Sequence, residues 1–274
     1  MKTQLGKLAL LTVFGLAMAF TFSCSNDGGG GSGNGGGWGS SSSSRLGNSS
    51  SSMCNSSLGQ TGVVYGTPVN YGDETYQTVV IGNQTWMARN LNYDVPDNDT
   101  DLCYDNNPDN CTTYGRLYNW ATAMELFSIC TSSSCASLVN AKHRGICPSG
   151  WHIPSNADWE ELLRYVDLEN CGEGFINGSY YSFTAGKYLK SENGWDYRGT
   201  SGNGEDKYGF AALPGGLGTT IVFLMVGEDG NWWSASEETD NKASVWQTSS
   251  RNGSFNDGDL GDKYLLYSVR CLKD

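Results

Sequence analysis

Histidine is almost missing from this chain. Only His143 and His152 occur among 274 residues. That leaves little material for imidazole acid–base chemistry or for a His-containing zinc site. No Cys-x2-Cys pair occurs, which disfavours zinc further. There is no Gly-x-Ser-x-Gly elbow, Walker loop, His-Glu-x-x-His helix or strand-to-helix Gly-x-Gly-x-x-Gly turn. Basic residues are scarce as well: 17 Lys and Arg stand against 29 Asp and Glu, a formal net charge of −12. So acidic a chain is not expected to partner nucleic acid or anionic lipid headgroups. Its apolar run, Leu8 to Phe20, is too short for a bilayer-spanning stop-transfer helix.

What is present begins with an export pattern. Residues 1–23 carry Lys2 and Lys7, then that apolar run, then small residues before Cys24, as a signal peptide does. Thr21-Phe22-Ser23-Cys24 resembles a bacterial lipobox, although Thr21 and Phe22 depart from its commonest form. Cys24 is therefore the expected lipidation site, and the outer membrane the expected partner through a lipid anchor. Loss of residues 1–23 removes Lys2 and Lys7 and leaves 15 basic against 29 acidic residues, net −14. Residues 24–62 are rich in Gly and Ser and bury too little apolar surface to offset their ordering entropy. They read as a flexible linker holding a domain away from its anchor. Residues 63–274 then read as one folded domain. An exported chain with eight cysteines beyond Cys24 is expected to form disulfides. Cys103 and Cys111 lie close enough to bridge a tight loop, and Cys130 and Cys135 to bridge locally. Cys54 is near enough to the domain to be pinned to it.

The clearest local signal lies between Cys147 and Val166. Ser155 is a good N-cap with Asp158 three residues on. Trp159, Leu162, Leu163 and Val166 then recur on one helical face. Leu117, Trp120, Ala121 and Met124 predict a second helix within Tyr114–Phe127. Upstream, Tyr76–Ile81 and Gln84–Ala88 flank Gly82-Asn83 as a hairpin. Pro96 to Asn110 reads as a polar loop. Beyond Asn170, short strands are expected at 208–213, 221–226, 231–235, 243–248 and 264–272. Helices followed by a run of strands argue for an α+β domain.

Several motifs recur in order: Gly82-Asn-Gln-Thr-Trp-Met-Ala-Arg-Asn-Leu91, Tyr114-Gly-Arg-Leu-Tyr-Asn-Trp120, Cys147-Pro-Ser-Gly-Trp-His-Ile-Pro-Ser155, Tyr208-Gly-Phe-Ala-Ala-Leu-Pro-Gly-Gly216, Trp232-Trp-Ser-Ala-Ser236 and Tyr267-Ser-Val-Arg-Cys-Leu272. Over residues 76–274 this set resembles the Fibrobacter succinogenes major paralogous domain family. The resemblance implies a bacterial exported protein, often a lipoprotein, and little about activity. More remotely the pattern is similar to C-type lectin-like and formylglycine-generating-enzyme-like domains. That likeness implies two helices packed on short antiparallel strands with long disulfide-stapled loops. It also implies that Cys147 and Cys271 meet, linking the helix entry to the last strand.

The residues raise three candidate chemistries. Glu192, Asp196, Glu205 and Asp206 lie close in sequence, as paired carboxylates for glycoside cleavage would, but a solvated acidic loop is the plainer reading. Asp97, Asp99 and Asp101 alternate as calcium ligands do. They fail the EF-hand pattern, with Leu102 at the sixth place and Pro108 at the twelfth. No cofactor is therefore expected, with calcium the weak candidate. Nine Trp and fifteen Tyr are many for this length. Exposed rings stack on sugars, so Trp195, Trp232, Trp233 and Trp246 are the candidate ligand platform. Trp232 and Trp233 point to opposite faces of a strand, which predicts that one is exposed or loop-covered. The expectation is a surface lipoprotein whose domain binds polysaccharide or mediates adhesion without catalysing. The alternatives are a surface enzyme acting on glycans and a purely structural envelope protein.

Overall fold

The computed structural model describes Gln60 and residues 62–96, 98–172, 174–176, 179–258 and 260–274. Cys24, Cys54, the leader and the body of the linker lie outside the described residues. Helices form where local caps allow: α1 (Pro108–Tyr114), α2 (Trp120–Ala123), α3 (Asn156–Asn170) and α4 (Ala185–Leu189). Strands form two main sheets, and the class is α+β.

Helix α3 starts as its residues dictate. The Ser155 side chain accepts from the Asp158 N–H, while Asp158 accepts from the Ser155 N–H at 2.8 Å and hydroxyl at 2.6 Å. This reciprocal cap satisfies donors that the first turn would leave orphaned. The helix buries Trp159, Leu162, Leu163 and Val166. Its four apolar positions and its start agree with the periodicity.

The second expected helix is mostly absent. Past Tyr114, where α1 ends, only α2 is α-helical up to Phe127, and Leu117–Tyr118 is a strand paired with Tyr267–Ser268 and Asp101–Leu102. Leu117, Trp120, Ala121 and Met124 are all buried, but not on one helix. Gly115 breaks the run: it sits at φ +79°, and a Cβ there would stand 2.8 Å from the Leu91 carbonyl oxygen. Asn119 then opens a new helix by accepting from the Thr122 N–H at 2.8 Å. The loop at Pro96–Asn110 conversely contains the start of α1, capped by Asn107 with Pro108 in its first turn.

One sheet has four strands in the order Thr78–Ile81, Gln84–Met87, Leu272–Lys273, Trp151–His152. It joins the Gly82-Asn83 hairpin to the last strand and to the entry of α3. Cys147 and Cys271 are bonded beside it, across 124 residues of sequence. The larger, nine-stranded sheet is built on the hairpin of Asp229–Thr239 and Lys242–Ser249. At 11 and 8 residues these strands are longer than the short segments expected. Tyr267–Ser268 runs parallel to the first of them, with Trp232 opposite Ser268.

Both faces of that hairpin are covered. On one side Trp233 packs into a core with Tyr118, Trp120, Ile146, Trp151 and Val269. On the other, Trp232 and Trp246 pack with Trp86, Trp159, Phe210 and Phe255 under α3. Trp159 lies among these rings, 4.9 Å from Trp86 and 6.1 Å from both Trp232 and Trp246 between ring centroids. The last segment runs between the two cores, and Leu266 to Leu272 are all buried. Arg270 is buried completely there. Its guanidinium donates to Asn90 Oδ1 at 2.6 Å, to the Met87 carbonyl at 3.1 Å and to the Phe210 carbonyl, and it stacks over the Phe210 ring. A buried guanidinium is tolerable only because its donors find acceptors.

Candidate functional site

The tryptophan platform is not formed. Trp195 is 6% exposed, Trp232 and Trp233 0% and Trp246 1%. Each indole N–H is also spent on the protein: Trp195 to the Ala212 carbonyl, Trp232 to Asn90 Oδ1, Trp233 to the Tyr118 carbonyl and Trp246 to Asn156 Oδ1. Alternation along the strand does send Trp232 and Trp233 to opposite faces. Neither face meets solvent, because each carries its own hydrophobic core. These four residues hold the fold together and present no ring to a ligand.

The calcium candidates are similarly dispersed. Asp97 lies outside the described residues, and Asp99 is exposed. Asp101 is buried, accepts from the Val95 N–H at 2.8 Å and lies 3.8 Å from the Arg116 guanidinium. Burial pushes its pKa up, against that hydrogen bond and Arg116. Its work is to pin the loop at Val95. Among the described residues no three His, Cys, Asp or Glu side chains gather as a metal-ligand set.

The four clustered acids also have other employment. Asp196 is exposed and faces Arg198 at 4.0 Å, Glu205 pairs with Lys187 at 3.0 Å, and Glu192 is exposed. Asp206 is half-buried and accepts from the Ala211 N–H at 2.7 Å. Burial pushes its pKa up to about 6. The cysteines are placed by their loops: Cys103 is bonded to Cys111 and Cys130 to Cys135. Cys171 is disulfide-bonded too.

The aromatic surface that the fold does offer lies elsewhere. Tyr71 ends the strand Val69–Tyr71, which turns at Gly72-Asp73 into Glu74–Tyr76. Gly72 sits at φ +59°, and a Cβ there would stand 3.3 Å from the Tyr93 ring. Tyr71 and Tyr93 are half-buried and stacked, ring centroids 4.5 Å apart at 25°. Tyr93 is held rigidly. Its N–H donates to the hydroxyl of buried Tyr118 at 2.9 Å, and that hydroxyl donates back to the Tyr93 carbonyl at 2.8 Å. Burial, with Tyr93 alongside, pushes the Tyr71 hydroxyl up to about 12, so Tyr71 stays neutral and polar-tipped at physiological pH.

These rings open onto a cavity of about 420 Å³. Its apolar wall includes Val95, Leu126 and Ile146; its polar wall includes Asn98, Thr122, Glu125 and Arg144. Phe127 stands at the rim, 77% exposed. Asn98 is fixed by donating to Thr122 Oγ1 at 3.1 Å, and Arg144 is paired with Glu125. A second cavity of about 470 Å³ meets the first at Tyr93 and Pro96. It runs past Glu74, Asn92, Asp94 and Arg116 to the Cys103–Cys111 bridge. Glu74 is paired with Arg89, which holds its pKa down, and Arg116 with Asp94 at 2.7 Å. The two cavities thus offer aromatic faces flanked by oriented amides and ion pairs. Cavities of this volume suit a sugar-sized ligand, with a few polar groups setting its orientation.

A family model for the Fibrobacter succinogenes major domain matches residues 79–273. The chain belongs to this family. No curated protein and no solved structure matches it. The matched span of this Fibrobacter succinogenes major domain takes in nearly all of both sheets and both cores, and it holds Tyr93, Asn98, Phe127 and Arg144 of the groove. Tyr71 lies just outside it. Sequence reasoning passed over Tyr71, Tyr93 and Phe127 because no periodic pattern contains them. The only hint was the excess of tyrosine.

Proposed function

We propose that this protein is a non-catalytic saccharide-binding module of an exported lipoprotein, with a C-type lectin-like arrangement of its α+β domain. The observation that carries the reading is the stacked Tyr71–Tyr93 pair beside exposed Phe127, in a groove whose rim supplies Asn98, Glu125 and Arg144. Pyranose rings present apolar C–H faces that pack on aromatic rings, while their hydroxyls bond to fixed planar polar groups. Phe127 gains its weight from sharing the groove with that stacked pair, where aromatic faces and polar groups line one cavity. The lectin-like reading draws support from the terminal strand closing onto the Gly82-Asn83 hairpin and from the Cys147–Cys271 bridge at the helix entry. Export and an outer-membrane anchor at Cys24 rest on the leader-like segment and the linker that follows.

Pull-down on insoluble plant polysaccharide, with a glycan array beside it, tests the binding. Phe127→Ala should leave the melting temperature nearly unchanged, since exposed substitutions usually fall within about 0.5 kcal/mol. It should weaken retention about tenfold, roughly 1.4 kcal/mol. Tyr93→Ala should weaken it further. Unchanged retention in both variants would overturn the reading. Turnover of the polysaccharide by the wild-type chain would favour the enzyme alternative. For the anchor, Cys24→Ala should move the protein out of the membrane fraction with its domain intact.

A further inference from the structure

A third pocket, of about 320 Å³, lies between α4 and the loop following Lys242–Ser249. Its lining runs against the composition of the chain. Lys187, Lys190 and Arg251 contribute to it, and no carboxylate does, although acids outnumber bases 29 to 17 overall. Lys190 is 2% exposed. Its ammonium donates to the carbonyls of Ser249 and Asn252 at 2.9 Å each and lies 5.0 Å from the centre of the Trp195 ring. An ammonium has three donors. Among the described residues the third has no acceptor, and no carboxylate pairs with the charge. Burial pushes its pKa down to about 8, so it is mostly charged at neutral pH. Ser250 is 3% exposed, lines the same pocket, and its hydroxyl has no hydrogen-bond partner. A buried cation without a counter-ion and a buried hydroxyl without a partner, in the lining of one pocket, each require an explanation. One negatively charged oxygen group supplies both.

We propose that this pocket binds an oxyanion group, a carboxylate, sulfate or phosphate, with Lys190 and Ser250 at its base and Arg251 and Lys187 at its rim. The rim cations are only partly neutralised. Arg251 shares Glu228 with Arg198, and Lys187 meets Glu205 on the exposed side. The pocket exceeds the size of a bare anion and has room for a sugar acid. This inference concerns a separate surface and does not rest on the Tyr71–Tyr93 groove.

The test is calorimetric titration of the mature chain with sodium sulfate, phosphate, acetate, glucuronate and glucose, ionic strength being held constant with sodium chloride. At least one oxyanion should bind saturably, and glucose should not bind through this pocket. Glucuronate binding at least tenfold tighter than acetate assigns the pocket to a sugar acid. Tighter binding of sulfate or phosphate assigns it to a free inorganic anion. Arg251→Gln with Lys187→Gln, both at exposed positions, should weaken binding at least tenfold and abolish the anion-induced rise in melting temperature. Ser250→Ala should weaken it several-fold. Lys190→Met should abolish binding; should it fail to fold, the rim variant still decides. No saturable response to any oxyanion, or equal affinity in the wild type and the rim variant, overturns the proposal, and groove binding measured with Phe127→Ala remains a separate result.

Discussion

Truncating either member of the Trp232–Trp233 pair should unfold much of the domain's stability margin. Both rings are 0% exposed and each belongs to a different core. Replacing a buried Trp with Ala removes transfer free energy and leaves a cavity, about 3–5 kcal/mol. For a domain of this size each kcal/mol shifts the melting temperature by roughly 2–4 °C, so a fall of roughly 6–20 °C is expected for each variant. Phenylalanine substitutions separate packing from hydrogen bonding. The Trp159 indole N–H is buried without a partner, whereas that of Trp232 donates to Asn90 Oδ1 at 2.7 Å. Both Trp→Phe changes lose comparable volume, about 2 kcal/mol. Trp159→Phe also relieves an unsatisfied donor, while Trp232→Phe loses a made bond worth about 1 kcal/mol. Trp232→Phe should therefore melt lower than Trp159→Phe. Differential scanning calorimetry on oxidised protein measures all four. If Trp232→Ala or Trp233→Ala melts within about 2 °C of the parent, one face of the hairpin is not core and the burial argument fails.

Other consequences are more local. The Cys147–Cys271 bridge closes 124 residues of sequence and Cys130–Cys135 only 5, so in the loop-entropy account their removal should cost about 5 and about 2 kcal/mol respectively; equal losses in paired Cys→Ala melts would contradict it. His152 is 2% exposed, and burial alone would lower its pKa, but its ring is 2.8 Å from Asp274 and 3.6 Å from Asp158, which together hold it above 6.5. Its stabilisation is complete below about pH 6.5 and is lost as pH rises through the folded-state value. Asp158, held below 3.8 despite burial by His152 and Ser155, contributes above that value and loses its contribution as pH falls. With two histidines in the chain, an NMR titration resolves His152 directly, and Asp274→Asn should lower its midpoint; an unmoved midpoint would mean the ion pair does not form in solution. Asp206 carries the opposite sign. Its raised pKa makes ionisation cost stability between about pH 4 and 6, so Asp206→Asn should flatten that part of a stability-versus-pH curve.

Local chemistry wrote several elements legibly. The cap at Ser155, the stripe Trp159–Leu162–Leu163–Val166 and the Gly82-Asn83 hairpin each rest on residues a few positions apart, and the tertiary context keeps all three. The short disulfides are of the same kind, since Cys103–Cys111 and Cys130–Cys135 need only a turn between them. Helix α1 was also written locally, in Asn107 and Pro108, and was hidden by the Asp and Asn around it. The stripe at Leu117, Trp120, Ala121 and Met124 misled because a helical period records which residues are buried. It does not record whether one helix buries them, and Gly115 with the strand pairing of Leu117–Tyr118 decided otherwise.

The groove was beyond local reading. Tyr71 and Tyr93 are 22 positions apart in sequence and become a stacked pair only because Tyr118, from a different strand, clamps the Tyr93 backbone. By itself the sequence determined an α+β class, a Gly- and Ser-rich low-complexity stretch ahead of the domain, the α3 cap and which side chains alternate along each strand. Tertiary structure decided which faces meet water. Period-2 alternation separates Trp232 from Trp233, but solvent exposure depends on what packs above each face, and here two cores occupy both.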